Sequence, residues 1–249
     1  PLDPIPPAPA SAYPMSHRSS VADLSWSWAL VFGAVALALY ANTLDHPFVG
    51  DDLTLIERNP TIAQRSLTGL RRLWTTPYFT GIRPDGRTGD LAADHNGYRP
   101  VTTMSCWLNA WLCGLRPSCF RVVNIVLHAL AAWLVGLLAS RWGGMGAGLI
   151  AGGIVLVHPL ATDLMNRMVG RGEILVVAGM AGFLAAQHAA QRSAWTWPRT
   201  LGAALAAAVA LGAKESGIVL VPLAVLHEWL GRAPDTRDAG TYPGAKHFW

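Results

Sequence analysis

The chain has 249 residues, of which 52% are hydrophobic and only 14% are charged, well below the quarter or so that is typical of soluble domains. The mean hydropathy is +0.31. A run of about 20 apolar residues spans the hydrocarbon core of a bilayer, and this chain has several runs of nearly that length. The composition therefore predicts a polytopic membrane protein built from helices, since lipid offers no partners to unpaired backbone groups.

The net charge is +4, but the basic residues stand singly or in pairs between apolar runs. A nucleic-acid interface gathers such residues into one patch or stripe, so the pattern argues against nucleic acid as a partner. The positive-inside rule accounts better for the charge. Cys106, Cys113 and Cys119 have no partners at metal-ligand spacing and are interpreted as small membrane hydrophobes.

The first hundred residues divide into three parts. Residues 1–23 are rich in proline and alanine and are predicted to be disordered. The apolar run Leu24–Leu44 predicts a first membrane span. Residues 45–99 form one large polar loop, in which the apolar positions of Ile62–Trp74 share one face and predict a helix lying in the membrane interface.

The remaining chain is a series of apolar runs separated by short connections. A juxtamembrane helix is predicted over Arg99–Leu115. Five further spans are predicted, over Phe120–Leu138, Ala147–Val157, Ile174–Ala190, Leu201–Ala213 and Ile218–Leu230. The sequence thus predicts an all-α polytopic membrane helix bundle of about six spans over residues 24–231, followed by a flexible tail over residues 232–249.

The arginines indicate which way the spans run. With a cytoplasmic N-terminus, every cytoplasmic segment carries at least one arginine, as the positive-inside rule requires; these are Arg18, Arg141, Arg192, Arg199, Arg232 and Arg237. The polar loop and the two short connections on the other side then carry the remaining acids and bases. Ionisable groups at a membrane edge are costly unless they are paired or functional, so a site is predicted on the extracytoplasmic face.

Asp51 and Asp52 stand side by side just after the first span. One interpretation is that they cap a helix beginning at Leu53, because aspartate is a good N-cap. The other is functional: adjacent carboxylates repel, which raises the pKa of one of them and suits it to act as a general base.

The two short connections supply basic partners. Arg167 and Arg171 would share one side of a helix and could bind phosphate oxygens; alternatively, they pair with Glu173 and hold two spans together. Snorkelling explains Lys214, but it leaves the adjacent Glu215 unexplained.

Three polar residues lie near or within the predicted spans. His158, before a proline, is either a site residue or a hydrogen-bonding group at a helix end. Asn124 and His128, one turn apart in the second span, predict an interhelical hydrogen bond.

Four segments carry a family resemblance. The blocks "FVGDDLTLIERNPTI", "YRPVTTMSCWLNAWLCGLRPSCFRVVNIVLHAL", "VHPLATDLMNRMVGRGEIL" and "AKESGIVLVPLAVLHEWL" resemble, in this order, signature blocks of the transmembrane and tetratricopeptide-repeat O-mannosyltransferases, members of the GT-C glycosyltransferase superfamily. The resemblance covers about residues 40–230. Gly50 is smaller than the residue usual in the family, and no repeat of about 34 residues is present, so the chain is expected to be a fragment or a truncated relative.

The resemblance implies a GT-C-like fold and an enzyme that moves a sugar, typically mannose, from a polyprenyl-phosphate donor to a protein Ser or Thr hydroxyl with inversion. Asp51 or Asp52 would be the base, with a slight preference for Asp51, and Glu173, Glu215 and His158 would support the site. The donor phosphate would be bound by basic residues, namely Arg171, Lys214, Arg167 and Arg99. No cofactor is implied, and a divalent metal requirement stays open.

One alternative function comes from a different class. A non-catalytic membrane protein, such as a transporter or flippase of lipid-linked sugars or a degenerate assembly subunit, would also carry polar groups among its spans. Transporters usually place these groups near mid-membrane and contain internal repeats. Here the charges lie at span ends and the sequence shows no repeat, which favours the enzyme.

Overall fold

The computed structural model describes residues 21–63, 66–78, 80–82, 88–90 and 97–231, with side chains for 27–63, 66–78 and 97–231. The predictions of a disordered start and a flexible tail lie outside these residues, except that residues 21–23 are helical. The described elements are α1 (Val21–Tyr40), α2 (Pro60–Ala63), α3 (Leu67–Leu73), β1 (Thr80–Ile82), β2 (Thr88–Asp90), α4 (Pro100–Cys113), α5 (Pro117–Val157), α6 (Pro159–Asn166), α7 (Arg171–Ser193), α8 (Trp197–Ala213) and α9 (Leu220–Gly231).

The fold is helical, as predicted, apart from the antiparallel hairpin of β1 and β2 in the polar loop. Prolines mark several helix starts, where a missing N–H costs nothing; these are Pro100, Pro117, Pro159 and Pro198. Two described helices are long and apolar enough to cross a membrane, Pro117–Val157 and Met168–Ser193. The count of six spans stays a prediction.

Helix α5 is two helices joined by a sharp turn at Gly144, whose φ of 74° and ψ of −172° are not helical. The halves fold back on each other. A Cβ built on Gly148 would lie 2.7 Å from the Gly136 carbonyl oxygen, and the His128 ring lies 3.4 Å from the Leu156 oxygen. In each pair the two residues are equally far in sequence from Trp142, so the two halves run antiparallel. These halves correspond to the predicted second and third apolar segments.

Helix α1 packs along this α5 hairpin. Phe32 is buried and lies against Gly152, and the Tyr40 hydroxyl donates a hydrogen bond of 2.7 Å to the Leu156 oxygen. Small residues at such crossings let backbones approach closely, which is how helices associate in lipid. The main buried cluster is formed by α1, both halves of α5, α6 and α7.

We expect Gly152→Ala to destabilise the protein by about 1 to 3 kcal/mol, the usual cost of overpacking a core. The added Cβ would lie 2.5 Å from the Phe32 ring and 2.8 Å from the Ala132 oxygen. The measurement is the thermal unfolding midpoint of the purified protein in detergent. Gly153→Ala is the matched control, since its Cβ would meet nothing within 4 Å; equal midpoints for the two variants would contradict the crossing.

The last three helices pack beside α5. A Cβ on Gly179 of α7 would lie 2.6 Å from the Ala206 oxygen of α8, so these two helices touch through their backbones. Helix α9 is tied to α7 by Gln187, whose amide donates to the Ala224 oxygen at 3.1 Å. Between α8 and α9 the chain reverses at Lys214 and a 3-10 turn, Glu215–Val219. This reversal brings Lys214 and Glu215 back to the end of the bundle that carries the polar loop.

The polar loop is held to this end of the bundle by short elements. The segment predicted as one interfacial helix is instead two short helices, α2 and α3, separated by residues 64 and 65, which are not described, and by Ser66, which is extended. Its position in a membrane interface stays a prediction. Helix α3 begins at Ser66, whose hydroxyl accepts a hydrogen bond of 3.1 Å from the Gly69 amide, a standard N-cap. The helix predicted over Arg99–Leu115 is α4, and its position beside the membrane stays a prediction.

Candidate active site

Two ion pairs lie side by side where α4, α7 and α8 meet. Arg99 precedes α4, and its guanidinium binds both carboxylate oxygens of Glu215, with Nε at 3.0 and 3.1 Å and Nη2 at 2.9 Å from Oε2. The guanidinium carbon also lies 4.7 Å from the centre of the Tyr78 ring. Partial burial acts to raise the pKa of Glu215, but the Arg99 hydrogen bonds, a backbone hydrogen bond and the charges of Arg99 and Lys214 together lower it below its ordinary value. Glu215 is therefore ionised and fixed.

The second ion pair joins Lys214 to Glu173. Glu173 lies in the first turn of α7, where the helix dipole favours an acid. The Thr102 hydroxyl donates a hydrogen bond of 2.6 Å to the Ala213 oxygen, which fixes the end of α8 against α4. The Lys214 and Glu173 side chains remain 27% and 37% exposed, so this pair is accessible to a ligand.

The two aspartates have different environments. Asp52 is completely buried, and its Oδ1 accepts a hydrogen bond of 3.0 Å from the Val169 amide. Its Oδ2 has no hydrogen-bond partner among the described residues. Asp51 is exposed and lies close enough to Arg167 to act on it electrostatically. The adjacent residues therefore face different surroundings, one the interior and the other solvent.

The interpretation of Asp52 as a helix cap is wrong. Its side chain makes no capping hydrogen bond, and the segment that follows, Leu53–Glu57, is a short π-helix. The pKa of Asp52 is raised mainly by burial, and backbone hydrogen bonds and the charge of Arg121 only partly offset this effect. The expected raised carboxylate pKa is thus present, but its main cause is desolvation rather than repulsion by Asp51.

We expect Asp52→Asn to gain stability relative to the wild type as the pH rises. Burial raises the pKa of Asp52 in the folded state. The Asp52 carboxyl of the wild type therefore stabilises the fold fully below its unfolded-state pKa of about 4, and this stabilisation is lost as the pH rises through its folded-state pKa. Asparagine can still accept from the Val169 amide and carries no charge. Unfolding midpoints at a series of pH values test this; an identical pH profile for the exposed-site control Asp51→Asn would contradict it.

Arg171 lies beneath these groups and is fully buried. Its Nε donates to the Asn124 Oδ1 at 2.6 Å, and its Nη2 donates to the Asn109 Oδ1 at 2.7 Å. Two backbone oxygens, those of Ser105 and Phe120, accept at 3.1 and 3.2 Å. The prediction that Asn124 forms an interhelical hydrogen bond is confirmed, since it links α5 to α7. The described hydrogen bonds of the Arg171 guanidinium thus all go to oxygens of the protein itself.

Arg167 and Arg171 do not share a helix face. Helix α6 ends at Asn166, and a 3-10 turn over Met168–Gly170 separates it from α7, so Arg167 is exposed while Arg171 is buried. Arg167 forms an ion pair with Asp163, one turn earlier, rather than with Glu173. The alternative in which these arginines and Glu173 hold two spans together is therefore not what the structure contains.

His158 is a helix-end group that also borders a groove. Its Nδ1 accepts a hydrogen bond of 3.3 Å from the Leu160 amide at the start of α6, which matches the helix-end interpretation. The same residue lines a mainly apolar groove of about 250 Å³, together with Glu173, Ile174 and Val177. His158 and Glu173 therefore lie on one groove next to the ion pairs.

Sequence reasoning missed Arg121, which organises the loop that carries the aspartates. It is buried, and its guanidinium donates to the oxygens of Pro47 at 2.7 Å, His46 at 3.0 Å and Met165 at 3.1 Å. An arginine within the apolar run "FRVVNIVLHAL" was the available signal, since ionisable residues are rare in such segments.

The interpretation of all three cysteines as small hydrophobes is wrong for two of them. Cys113 and Cys119 form a disulfide between the end of α4 and the start of α5, while Cys106 is a buried free thiol. Among the residues with described side chains, no group of three or more His, Cys, Asp or Glu could hold a metal ion.

The fold and the site define a class of protein: an apolar helical bundle with candidate membrane spans and a cluster of acids and bases at one end. Protein O-mannosyl-transferase TMTC2 of Mus musculus is 29% identical over 206 residues, which are 80% of this chain and 23% of that protein. Tmtc1 of Drosophila melanogaster is 34% identical over 149 residues, 57% of this chain and 16% of the relative. TMTC4 of Homo sapiens is 32% identical over 164 residues, 59% and 21% respectively.

These matches confirm the resemblance: the chain is similar to the transmembrane and tetratricopeptide-repeat protein O-mannosyl-transferases TMTC1 to TMTC4. It spans about a quarter of the length of the curated relatives that it matches. No family model matches the chain, and no solved structure matches it significantly.

Proposed function

We propose that this chain forms the membrane part of a glycosyltransferase that moves mannose from a polyprenyl-phosphate donor to a protein Ser or Thr hydroxyl on the extracytoplasmic side. One observation carries the proposal. Acids and bases from four distant segments meet at one end of apolar helices, through Asp52 with Val169, Glu173 with Lys214, and Arg99 with Glu215. The relatives named protein O-mannosyl-transferases supply the reaction class.

The donor's chemistry fits this end of the bundle. A polyprenyl-phosphate sugar carries its phosphate at the membrane interface and its tail in the bilayer. The groove beside α7 is lined by apolar side chains, with Glu173 and His158 also on its lining, and Lys214 is paired to that same Glu173. A lipid tail in the groove would place the phosphate next to Lys214 and Arg99, which would stabilise the leaving group's charge.

Asp51 is the proposed base, because a base must come within hydrogen-bonding distance of the acceptor hydroxyl and Asp51 is the exposed member of the pair. It would take the hydroxyl proton as the oxygen attacks the anomeric carbon from the face opposite the phosphate, which inverts that carbon. Asp52 would position the loop by its bond to the Val169 amide. Arg167, close to Asp51, would add positive charge at the site.

Arg171 is assigned a positioning role in this proposal. All of its described hydrogen bonds go to protein oxygens, which favours a structural role beneath the site over direct contact with the donor phosphate. It would hold the start of α7, and with it Glu173, in place.

The disulfide supports the proposed sidedness. Disulfides persist in extracytoplasmic compartments and are rare in the cytosol. Cys119 lies in the first turn of α5. Arg121, two residues later, donates hydrogen bonds to the loop that carries the aspartates. The disulfide therefore lies at the same end of the bundle as the candidate site, and both would face an oxidising compartment.

The test is reconstitution of the protein from the complete gene in liposomes with polyprenyl-phosphate mannose and a Ser/Thr-containing acceptor protein. We expect mannose on the acceptor, detected by mass spectrometry, and none when a nucleotide-linked mannose replaces the lipid donor. Lys214→Gln should lower the transfer rate at least tenfold, whereas Arg58→Gln, at an exposed residue of the polar loop, should not. Movement of the lipid-linked sugar across the membrane without transfer would indicate a flippase and contradict the proposal.

A further inference from the structure

A second polar cluster lies at the opposite end of the bundle, away from the aspartates. The turn of α5, the end of α7 and the end of α9 enclose a cavity of about 430 Å³, called here the histidine cavity, whose lining includes Trp142, His188, Gln191, Arg192 and His227. The centroids of the His188 and His227 rings lie 5.7 Å apart, and the centroid of the Trp142 ring lies 5.5 Å from that of His227. The volume falls within the range of about 300 to 1,000 Å³ that is typical of small-ligand sites.

The cavity contains a buried polar group that lacks a partner. The His188 side chain is only 6% exposed, and neither of its ring nitrogens has a hydrogen-bond partner among the described residues. Buried polar groups in folded proteins nearly always have partners, because leaving one unpaired costs free energy. An orphaned imidazole on the lining of a cavity therefore points to a ligand.

The charges around the cavity are mainly positive. Arg192, His227 and Arg141 all act electrostatically on His188. Among the described residues, the acid nearest this cluster is Glu228, whose carboxylate accepts from the Gln187 and Gln191 amides at 3.2 and 3.0 Å, and it does not line the cavity. Guanidinium and imidazole N–H groups are strong donors to anionic oxygens, so this environment favours an anion.

We propose that the histidine cavity binds a phosphate group, either in the headgroup of an anionic phospholipid or as free phosphate. One ring N–H each of His188 and His227 and the Arg192 guanidinium would be the donors, since the Gln191 amide already donates to Glu228 and the His227 oxygen. Phosphate suits this set because its oxygens can accept from several donors at once. The site lies at the other end of the helices from the candidate active site, and it does not depend on the transferase activity.

The experiment uses the purified full chain in neutral detergent, titrated by calorimetry with two probes: short-chain phosphatidic acid and inorganic phosphate. We expect at least one probe to bind at one site per chain, and Arg192→Gln to weaken its binding about tenfold, the effect of losing one charge-assisted hydrogen bond. Arg192 is exposed, so this change should leave the fold intact. His188→Phe, which keeps the ring volume, should weaken binding by a similar factor.

The matched control is Arg199→Gln. Arg199 lies near the same end of the bundle but donates to Ser193 and the Ala194 oxygen, and it does not line the cavity. Binding of phosphatidic acid alone would identify a lipid headgroup, and binding of both probes would show that phosphate suffices. Binding of neither probe, or equal weakening by Arg192→Gln and Arg199→Gln, would overturn the proposal.

Discussion

Asp51→Asn should lower the rate of mannosyl transfer by about 10²- to 10⁴-fold, the usual contribution of a general base. The amide keeps the size of the side chain but cannot take the acceptor proton. Because Asp51 is exposed and makes none of the contacts that fix the loop, the variant should fold normally and bind its substrates with little change in KM. The measurement is the initial rate of the reconstituted protein from the complete gene, over a range of acceptor concentrations.

Two variants make this result specific. Glu57→Gln changes another exposed acid six residues later and should keep the wild-type rate. Asp52→Asn should reduce the rate less than Asp51→Asn, since Asp52 is buried and acts through its bond to the Val169 amide. The assignment would be reversed if Asp51→Asn kept the wild-type rate while Asp52→Asn lost most of it. Asp52, whose pKa is raised mainly by burial, would then be the general base.

Arg171→Met should destabilise the protein by about 3 to 5 kcal/mol, because several buried acceptors lose a donor and each such loss costs about 1 to 3 kcal/mol. The change leaves oxygens of Asn124, Asn109, Ser105 and Phe120 without the donor that each now has. Buried acceptors that lose their partners are costly. Unfolding midpoints and yields of monodisperse protein in detergent would measure the loss.

Arg171→Lys separates a positioning role from contact with the donor. Lysine keeps the charge but lacks the planar fork that reaches several acceptors, so we expect it to destabilise the protein nearly as much as methionine. If Arg171 instead contacts the donor phosphate, lysine should leave the unfolding midpoint near that of the wild type and raise KM for the donor. Arg167→Lys, at an exposed ion pair, is the control and should leave the midpoint unchanged.

The sequence was informative where a local pattern decides the structure. Long apolar runs required helices, and separate spans were predicted on either side of Gly144. The turn between them uses this glycine because only a residue without a Cβ adopts its φ of 74° easily. The short connections that carry Glu173 and Lys214 were expected on one face from the alternation of spans. These two residues do form an ion pair.

The sequence was less informative where tertiary contacts decide. The i, i+4 spacing of Arg167 and Arg171 implied a shared face only for a continuous helix, and the turn between α6 and α7 separates them. The burial of Asp52 depends on Val169, more than a hundred residues away. Similarly, the pairing of Cys113 with Cys119 requires the α4–α5 connection to turn back on itself, which composition does not specify.

We propose that this site mannosylates proteins outside the cytoplasm and that Asp51 is essential to it. The most direct measurement is mass spectrometry of extracytoplasmic proteins from cells that lack the gene and are complemented with either the wild-type complete gene or its Asp51→Asn version. We expect hexose on Ser and Thr residues with the wild type and its absence with the variant at equal protein levels. The same hexose-modified peptides in both strains would contradict the claim.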